Sequence, residues 1–128
     1  MNTKLLMTSS AVVLGITGLV LSFAPEEILA YYGEPGGAGK LAFQLLGATY
    51  FGFAMLNWMG KGNLIGGIYS KPVSTANLAH FTIGGLALIK LAMANSAETI
   101  LWASAGVYVL FALLFARVSF THPEKSAA

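Results

Sequence analysis

Residues 5–24 read LLMTSSAVVLGITGLVLSFA and carry no charged side chain. A helix needs about 20 residues, at roughly 1.5 Å of rise per residue, to cross about 30 Å of hydrocarbon. Residues 41–59, 75–93 and 100–116 form three further apolar stretches of similar length. The four stretches predict an all-α membrane protein, folded as an antiparallel bundle of four transmembrane helices in a single integral membrane domain over residues 1–128.

The composition of the whole chain also favours folding in lipid. Its 128 residues are 56% hydrophobic and 9% charged, whereas soluble domains carry about 25% charged residues. The sequence contains no cysteine, which excludes disulfides, thiolate nucleophiles and cysteine-based metal sites. The net charge of +2 is too small to indicate a nucleic-acid partner. We predict no metal site and no cofactor.

The first apolar stretch has a second interpretation as a signal peptide, because the small residues Ser22 and Ala24 precede Pro25. The apolar core of a signal peptide usually spans about 7–15 residues, which is shorter than this stretch. Proline directly after the cleavage point also disfavours cutting. We therefore expect the stretch to be retained as the first transmembrane helix.

Basic residues predict the orientation, because lysine and arginine accumulate in the cytoplasmic connections of membrane proteins. With the N-terminus inside, Lys40 and Lys90 fall on the outer side. The other five of the seven basic residues fall on the cytoplasmic side, and these are Lys4, Lys61, Lys71, Arg117 and Lys125. The sequence thus predicts a protein of a bacterial-type inner (cytoplasmic) membrane with both termini in the cytoplasm.

Residues 25–32 predict a short helix lying in the outer interface. Pro25 suits the first position of a helix, and Glu26 and Glu27 lie near the positive end of its dipole. Gly33 then supplies a residue that adopts positive φ where the helix ends. The neighbouring tyrosines are typical of the membrane interface.

The other connections differ in character. Residues 60–74 are rich in glycine but too apolar for a solvated loop, so we expect an interfacial segment or a shallow re-entrant turn. In the third connection, Ser96 is a candidate N-cap for the last helix, with Glu98 in its first turn. Residues 119–128 are predicted to form a polar tail.

Small residues are expected where the helices pack, because lipid provides no hydrophobic drive for helix association. Each apolar stretch carries such residues, namely Gly15, Gly18, Gly47, Gly52, Gly84, Gly85, Ala103, Ala105 and Gly106.

Polar side chains within the apolar stretches are candidate functional residues, because their burial in hydrocarbon is costly unless they are paired. Asn77 and His80 are three residues apart and share one helix face. With the polar residues near the predicted cytoplasmic side they form a predicted ligand-binding site for an anionic or other polar headgroup, comprising Asn57, Lys61, Tyr69, Lys71, Asn77 and His80. Each residue alone also has a structural interpretation, and for His80 this is a hydrogen bond between helices.

A second polar group lies toward the predicted outer side and includes Gln44, Lys90 and Trp102. We predict a structural ion pair between Lys90 and one of three glutamates, which are Glu26, Glu27 and Glu98. In the alternative, Lys90 extends to the headgroups from the end of its helix.

These features favour a lipid-binding or hydrophobic-ligand-binding membrane protein, or an accessory membrane protein, without evident catalytic machinery. Two alternatives stay open: an oligomeric channel or transporter, and a membrane-embedded enzyme that uses His80 as acid or base. The predicted partners are membrane lipids and either further copies of the chain or a larger membrane complex.

Overall fold

The structure is a computed structural model that describes residues 1–34, 36–63 and 65–121. Within these residues the chain is helical and forms no strand, which confirms the prediction of an all-α protein. Five α-helices occur: α1 (Thr3–Phe23), α2 (Pro25–Tyr31), α3 (Ala38–Gly60), α4 (Lys71–Ala94) and α5 (Thr99–Phe120). The chain divides into two compact units, Met1–Gly62 and Asn63–Ala128. The single domain over residues 1–128 stays a prediction.

Three helical segments of the described chain are long and apolar enough to cross a membrane, judged by length and composition. They are Thr3–Phe23, Ile68–Ala94 and Thr99–Phe120. The second of these joins a short 3₁₀ turn, Ile68–Ser70, to α4. Helix α3 has 23 residues, but Gln44 and Asn57 lower its hydropathy. The fourth span, over residues 41–59, therefore stays a prediction, as does the antiparallel four-helix arrangement.

In the first unit, α1 and α3 pack through glycines that bring their backbones together. A Cβ built on Gly18 would lie 2.8 Å from the carbonyl oxygen of Gly47, and one built on Gly47 would lie 2.7 Å from that of Gly18. A Cβ built on Gly15 would lie 3.5 Å from the Cβ of Ala54, which is an ordinary van der Waals contact. The predicted packing through small residues thus occurs here. At Gly52 the prediction is wrong, because an added Cβ meets open space within the described part of the chain.

In the second unit, α4 and α5 pack through a column of aromatic rings. Phe81 is fully buried and stacks on Phe111, with ring centroids 4.8 Å apart, and on Phe115 at 5.7 Å. Tyr108 fills the space left by Gly84, where a built Cβ would lie 2.6 Å from its ring. Glycine on α4 therefore accommodates a bulky ring on α5.

The short helix α2 begins at Pro25, with Glu26 and Glu27 in its first turn, and Gly33 follows with φ of +70°. These are the features from which a helix over residues 25–32 was expected. Its position in the membrane interface stays a prediction.

Three boundaries differ from the sequence-based expectation. Helix α4 begins at Lys71 rather than near residue 75, because Pro72 is tolerated in a first helical turn, where no intrahelical N–H bond is needed. Helix α5 begins at Thr99 with Glu98 as N-cap, so the prediction of Ser96 as the cap is wrong. It continues to Phe120, so the first two residues of the predicted polar tail are helical. Residues 122–128 of that tail lie outside the described residues.

Candidate functional site

A buried hydrogen bond joins α1 to α3 near the end of α3. The Asn57 side-chain amide donates to the Ser10 hydroxyl at 3.0 Å, and that hydroxyl donates to the carbonyl oxygen of Met7 at 3.0 Å. Both Asn57 and Ser10 are fully buried. This predicted ligand residue therefore makes an interhelical contact that helps to hold α1 against α3.

The Lys61 ammonium lies over the indole ring of Trp58, 3.0 Å from the ring centroid. Such a cation–π contact holds a lysine charge beside an aromatic face. Trp58 is exposed and stands near the C-terminal end of α3. The contact therefore positions a positive charge at this end of the first unit.

The four predicted ligand residues of the second unit occupy different environments. Tyr69 is 98% exposed, and Lys71 is exposed at the start of α4. Asn77 is fully buried, and its side-chain amide donates to the carbonyl oxygen of Val73 at 2.9 Å. His80 is half-buried, with its Nε2 3.4 Å from the Tyr108 hydroxyl. The ligand-binding role of the full predicted set stays a prediction.

Aromatic rings dominate the described surroundings of His80. The Phe81 ring lies 5.1 Å from its imidazole and the Tyr108 ring lies 5.6 Å from it, measured between centroids. Within the described residues, no three His, Asp or Glu side chains come together as metal ligands. The tyrosine hydroxyl gives His80 a hydrogen-bond partner between helices, as the structural interpretation of this residue expects.

An open cavity of about 240 Å³ lies in the first unit, where α1 ends and where α2 and α3 begin. Its lining is largely polar and charged, and it includes Ser22, Phe23, Glu26, Glu27, Lys40 and Gln44. Of the outer polar group predicted from sequence, this cavity brings together Gln44 and two of the three glutamates.

An ion pair joins two residues of the cavity lining. The Lys40 ammonium donates to the Glu26 carboxylate at 2.5 Å, and both side chains are exposed. The hydrogen bond from Lys40 and its positive charge lower the pKa of Glu26 below the ordinary 4.5. The Glu26 carboxylate is therefore ionised at neutral pH. Glu26 thus has Lys40 as its described partner, and the pairing of Lys90 with a glutamate stays a prediction.

Sequence reasoning missed three of these partners. Lys40 follows Glu26 by fourteen residues, and the glycine-rich connection between them hides the pairing. Ser10 was one of several hydroxyls in α1, and its register against Asn57 depends on how the helices pack. Tyr108 lies in an apolar stretch. The adjacent glycines Gly84 and Gly85 on α4, which contact it in the structure, were the sequence feature that could have indicated room for a large ring.

Comparisons with protein-family models, with curated proteins and with solved structures each found no match.

Proposed function

We propose that this chain is a polytopic integral membrane protein that binds lipid and serves as a non-catalytic or accessory component of its membrane. The observation that carries the proposal is the exposed surface of the long helices. Ile16 on α1 is 61% exposed, Ile83 on α4 is 69% exposed and Leu113 on α5 is 65% exposed. Removing one such side chain from water stabilises a protein by about 1.5–3 kcal/mol. Contact with lipid acyl chains would therefore stabilise these exposed faces.

The use of polar side chains inside the helices supports the same proposal. Serine and threonine hydroxyls donate to carbonyl oxygens of the preceding turn, as Thr17 does to Val13 at 2.8 Å. The Asn57 side chain on α3 donates a hydrogen bond to the Ser10 hydroxyl on α1. Groups paired in this way are stable in hydrocarbon, where water cannot satisfy them.

The proposed topology has four spans, with α3 crossing between the outer and the cytoplasmic side and with both termini inside. Because the natural chain has no cysteine, single cysteines report sidedness without background labelling. Gly36 and Gly62 are suitable sites, since an added Cβ meets no described neighbour within 4 Å. Lys4 and Asn95 complete the set as exposed positions near the N-terminus and between α4 and α5.

In intact cells, a membrane-impermeant maleimide is expected to label the Gly36→Cys and Asn95→Cys variants. The Lys4→Cys and Gly62→Cys variants should react only after permeabilisation. If Gly62→Cys reacts from outside while Asn95→Cys is protected, α3 does not span and the four-span topology is wrong.

Lipid binding is tested on the unmodified protein. After extraction in a mild detergent, native mass spectrometry should show the chain with phospholipid retained, and alkaline carbonate should leave it in the membrane pellet. Release by carbonate, or a chain that carries no lipid at any detergent concentration that keeps it folded, would contradict the proposed function.

A further inference from the structure

The cavity between the end of α1 and the starts of α2 and α3 favours a compact polar group over a drug-sized ligand. Its volume of about 240 Å³ falls below the roughly 300–1,000 Å³ of pockets for drug-sized ligands. At about 30 Å³ per water molecule, it has room for some eight waters. The cavity is open on one side, so an occupant keeps part of its structure outside.

In the proposed topology the cavity lies where α1 meets the membrane surface. Helix α1 is one of the segments able to cross a membrane, and it ends at Phe23 on the cavity wall. Tyr31 and Tyr32 are exposed on the neighbouring α2 segment, and tyrosine is enriched at the level of the headgroups. A ligand held here therefore has its polar part at headgroup depth and its apolar part beside α1.

The charged residues of the cavity favour a ligand that carries both a positively and a negatively charged group. Glu26, Glu27 and Lys40 line it and together carry one excess negative charge. The Lys40 side chain is 42% exposed although it bonds Glu26, so its remaining N–H donors can reach a phosphate. Glu27 offers a second carboxylate to a cation.

The lining also distinguishes between cations. Carboxylates and the Gln44 side-chain oxygen accept hydrogen bonds, so they favour a primary ammonium with three N–H donors. A quaternary ammonium has no such donors and is typically held by a cage of aromatic faces, whereas Phe23 is the one aromatic residue among the described residues of this lining. A primary ammonium beside a phosphate occurs in the headgroups of phosphatidylethanolamine and phosphatidylserine. The excess negative charge of the lining disfavours the additional carboxylate of phosphatidylserine.

We propose that this cavity binds the phosphoethanolamine headgroup of a membrane phospholipid, with the ammonium at Glu27 and Gln44 and the phosphate at Lys40. The proposal rests on the proposed function, because it names the lipid class that the membrane protein holds. No covalent step is involved.

The test is lipid competition on the full chain in mild detergent, read by native mass spectrometry. With phosphatidylethanolamine and phosphatidylcholine of identical acyl chains at equal concentration, we expect about tenfold more of the first in the bound fraction. A tenfold ratio corresponds to about 1.4 kcal/mol, the scale of one charge-assisted hydrogen bond. Equal retention of both lipids overturns the headgroup assignment and leaves the proposed function standing, whereas no retained lipid overturns both.

Two variants locate the preference. The Glu27→Gln variant should bring the ratio close to one, because it removes the carboxylate that receives the ammonium. The Glu34→Gln variant is its matched control: it makes the same charge change in the same connection, at an exposed residue outside the cavity. A Glu27→Gln protein that keeps the tenfold ratio overturns the site. The comparison of the two lipids uses the unmodified chain, so it tests the proposal even if a variant fails to fold.

A final arm separates the lipid from a soluble ligand with the same chemistry. Free O-phosphoethanolamine is titrated against the protein loaded with phosphatidylethanolamine. We expect no displacement at concentrations equal to the lipid, because the free compound lacks the acyl chains that lie along α1. Displacement at equal concentration would identify a soluble zwitterion as the occupant and overturn the lipid assignment.

Discussion

Replacing Gly18 by alanine tests the glycine contact that brings α1 against α3. A Cβ at this position would lie 2.8 Å from the carbonyl oxygen of Gly47 and 2.8 Å from the backbone nitrogen of Phe51. Ordinary van der Waals contact begins at 3.4 Å, so the helices must separate by about 0.6 Å. Both neighbours are backbone atoms, and no rotation of a side chain relieves the overlap.

The expected loss of stability follows from two opposing effects. Overpacking of a tight contact costs about 1–3 kcal/mol. Alanine in place of glycine inside a helix returns about 0.5–1 kcal/mol. We therefore expect the Gly18→Ala protein to be destabilised by up to about 2.5 kcal/mol.

The assay is unfolding in mixed micelles with increasing sodium dodecyl sulfate, followed by circular dichroism. Gly52→Ala is the matched control: Gly52 lies in α3 of the same unit, where an added Cβ meets open space within the described chain. That control should be unchanged or more stable by up to about 1 kcal/mol. If Gly18→Ala is as stable as Gly52→Ala, the close approach of the two backbones is refuted.

Three further predictions concern polar contacts. A double-mutant cycle of Asn57→Ala and Ser10→Ala should give a coupling of about 0.6–1.7 kcal/mol, and additive single effects would contradict the buried hydrogen bond. The pKa of Glu26 is lowered in the folded protein, so the stabilisation from Lys40 is present above pH 4.5 and is lost as the pH falls through the lowered pKa. Melting temperatures between pH 3 and 7 should show a loss at the acidic end that is reduced in Glu26→Gln, and an unchanged profile in that variant would contradict the pairing. Lys90→Met should lower the melting temperature in detergent if Lys90 pairs with a glutamate, and an unchanged temperature would rule that pair out.

Local sequence features predicted the helices well, with errors at their ends. Pro25, the two glutamates that follow it and Gly33 mark the limits of α2 without reference to any other part of the chain. The apolar pattern predicts a start of α4 near residue 75, because hydropathy falls at Lys71. The helix begins earlier, at Lys71, because Pro72 is compatible with the first turn of a helix. Hydropathy measures solvent preference, and helix limits depend on backbone hydrogen bonds, so the two need not coincide.

The sequence by itself determined that the chain is helical and compatible with lipid, because its apolar stretches are long and carry few charged residues. Only the tertiary structure decided which residues meet: Gly18 with Gly47, Asn57 with Ser10, His80 with Tyr108 and Glu26 with Lys40. In a soluble helix the apolar stripe marks the face that packs. In a helix that is apolar on all sides, the surface that faces lipid and the surface that faces another helix have similar sequences. The rotation of each helix about its axis is therefore set by close packing and by paired polar groups, which the sequence alone does not show.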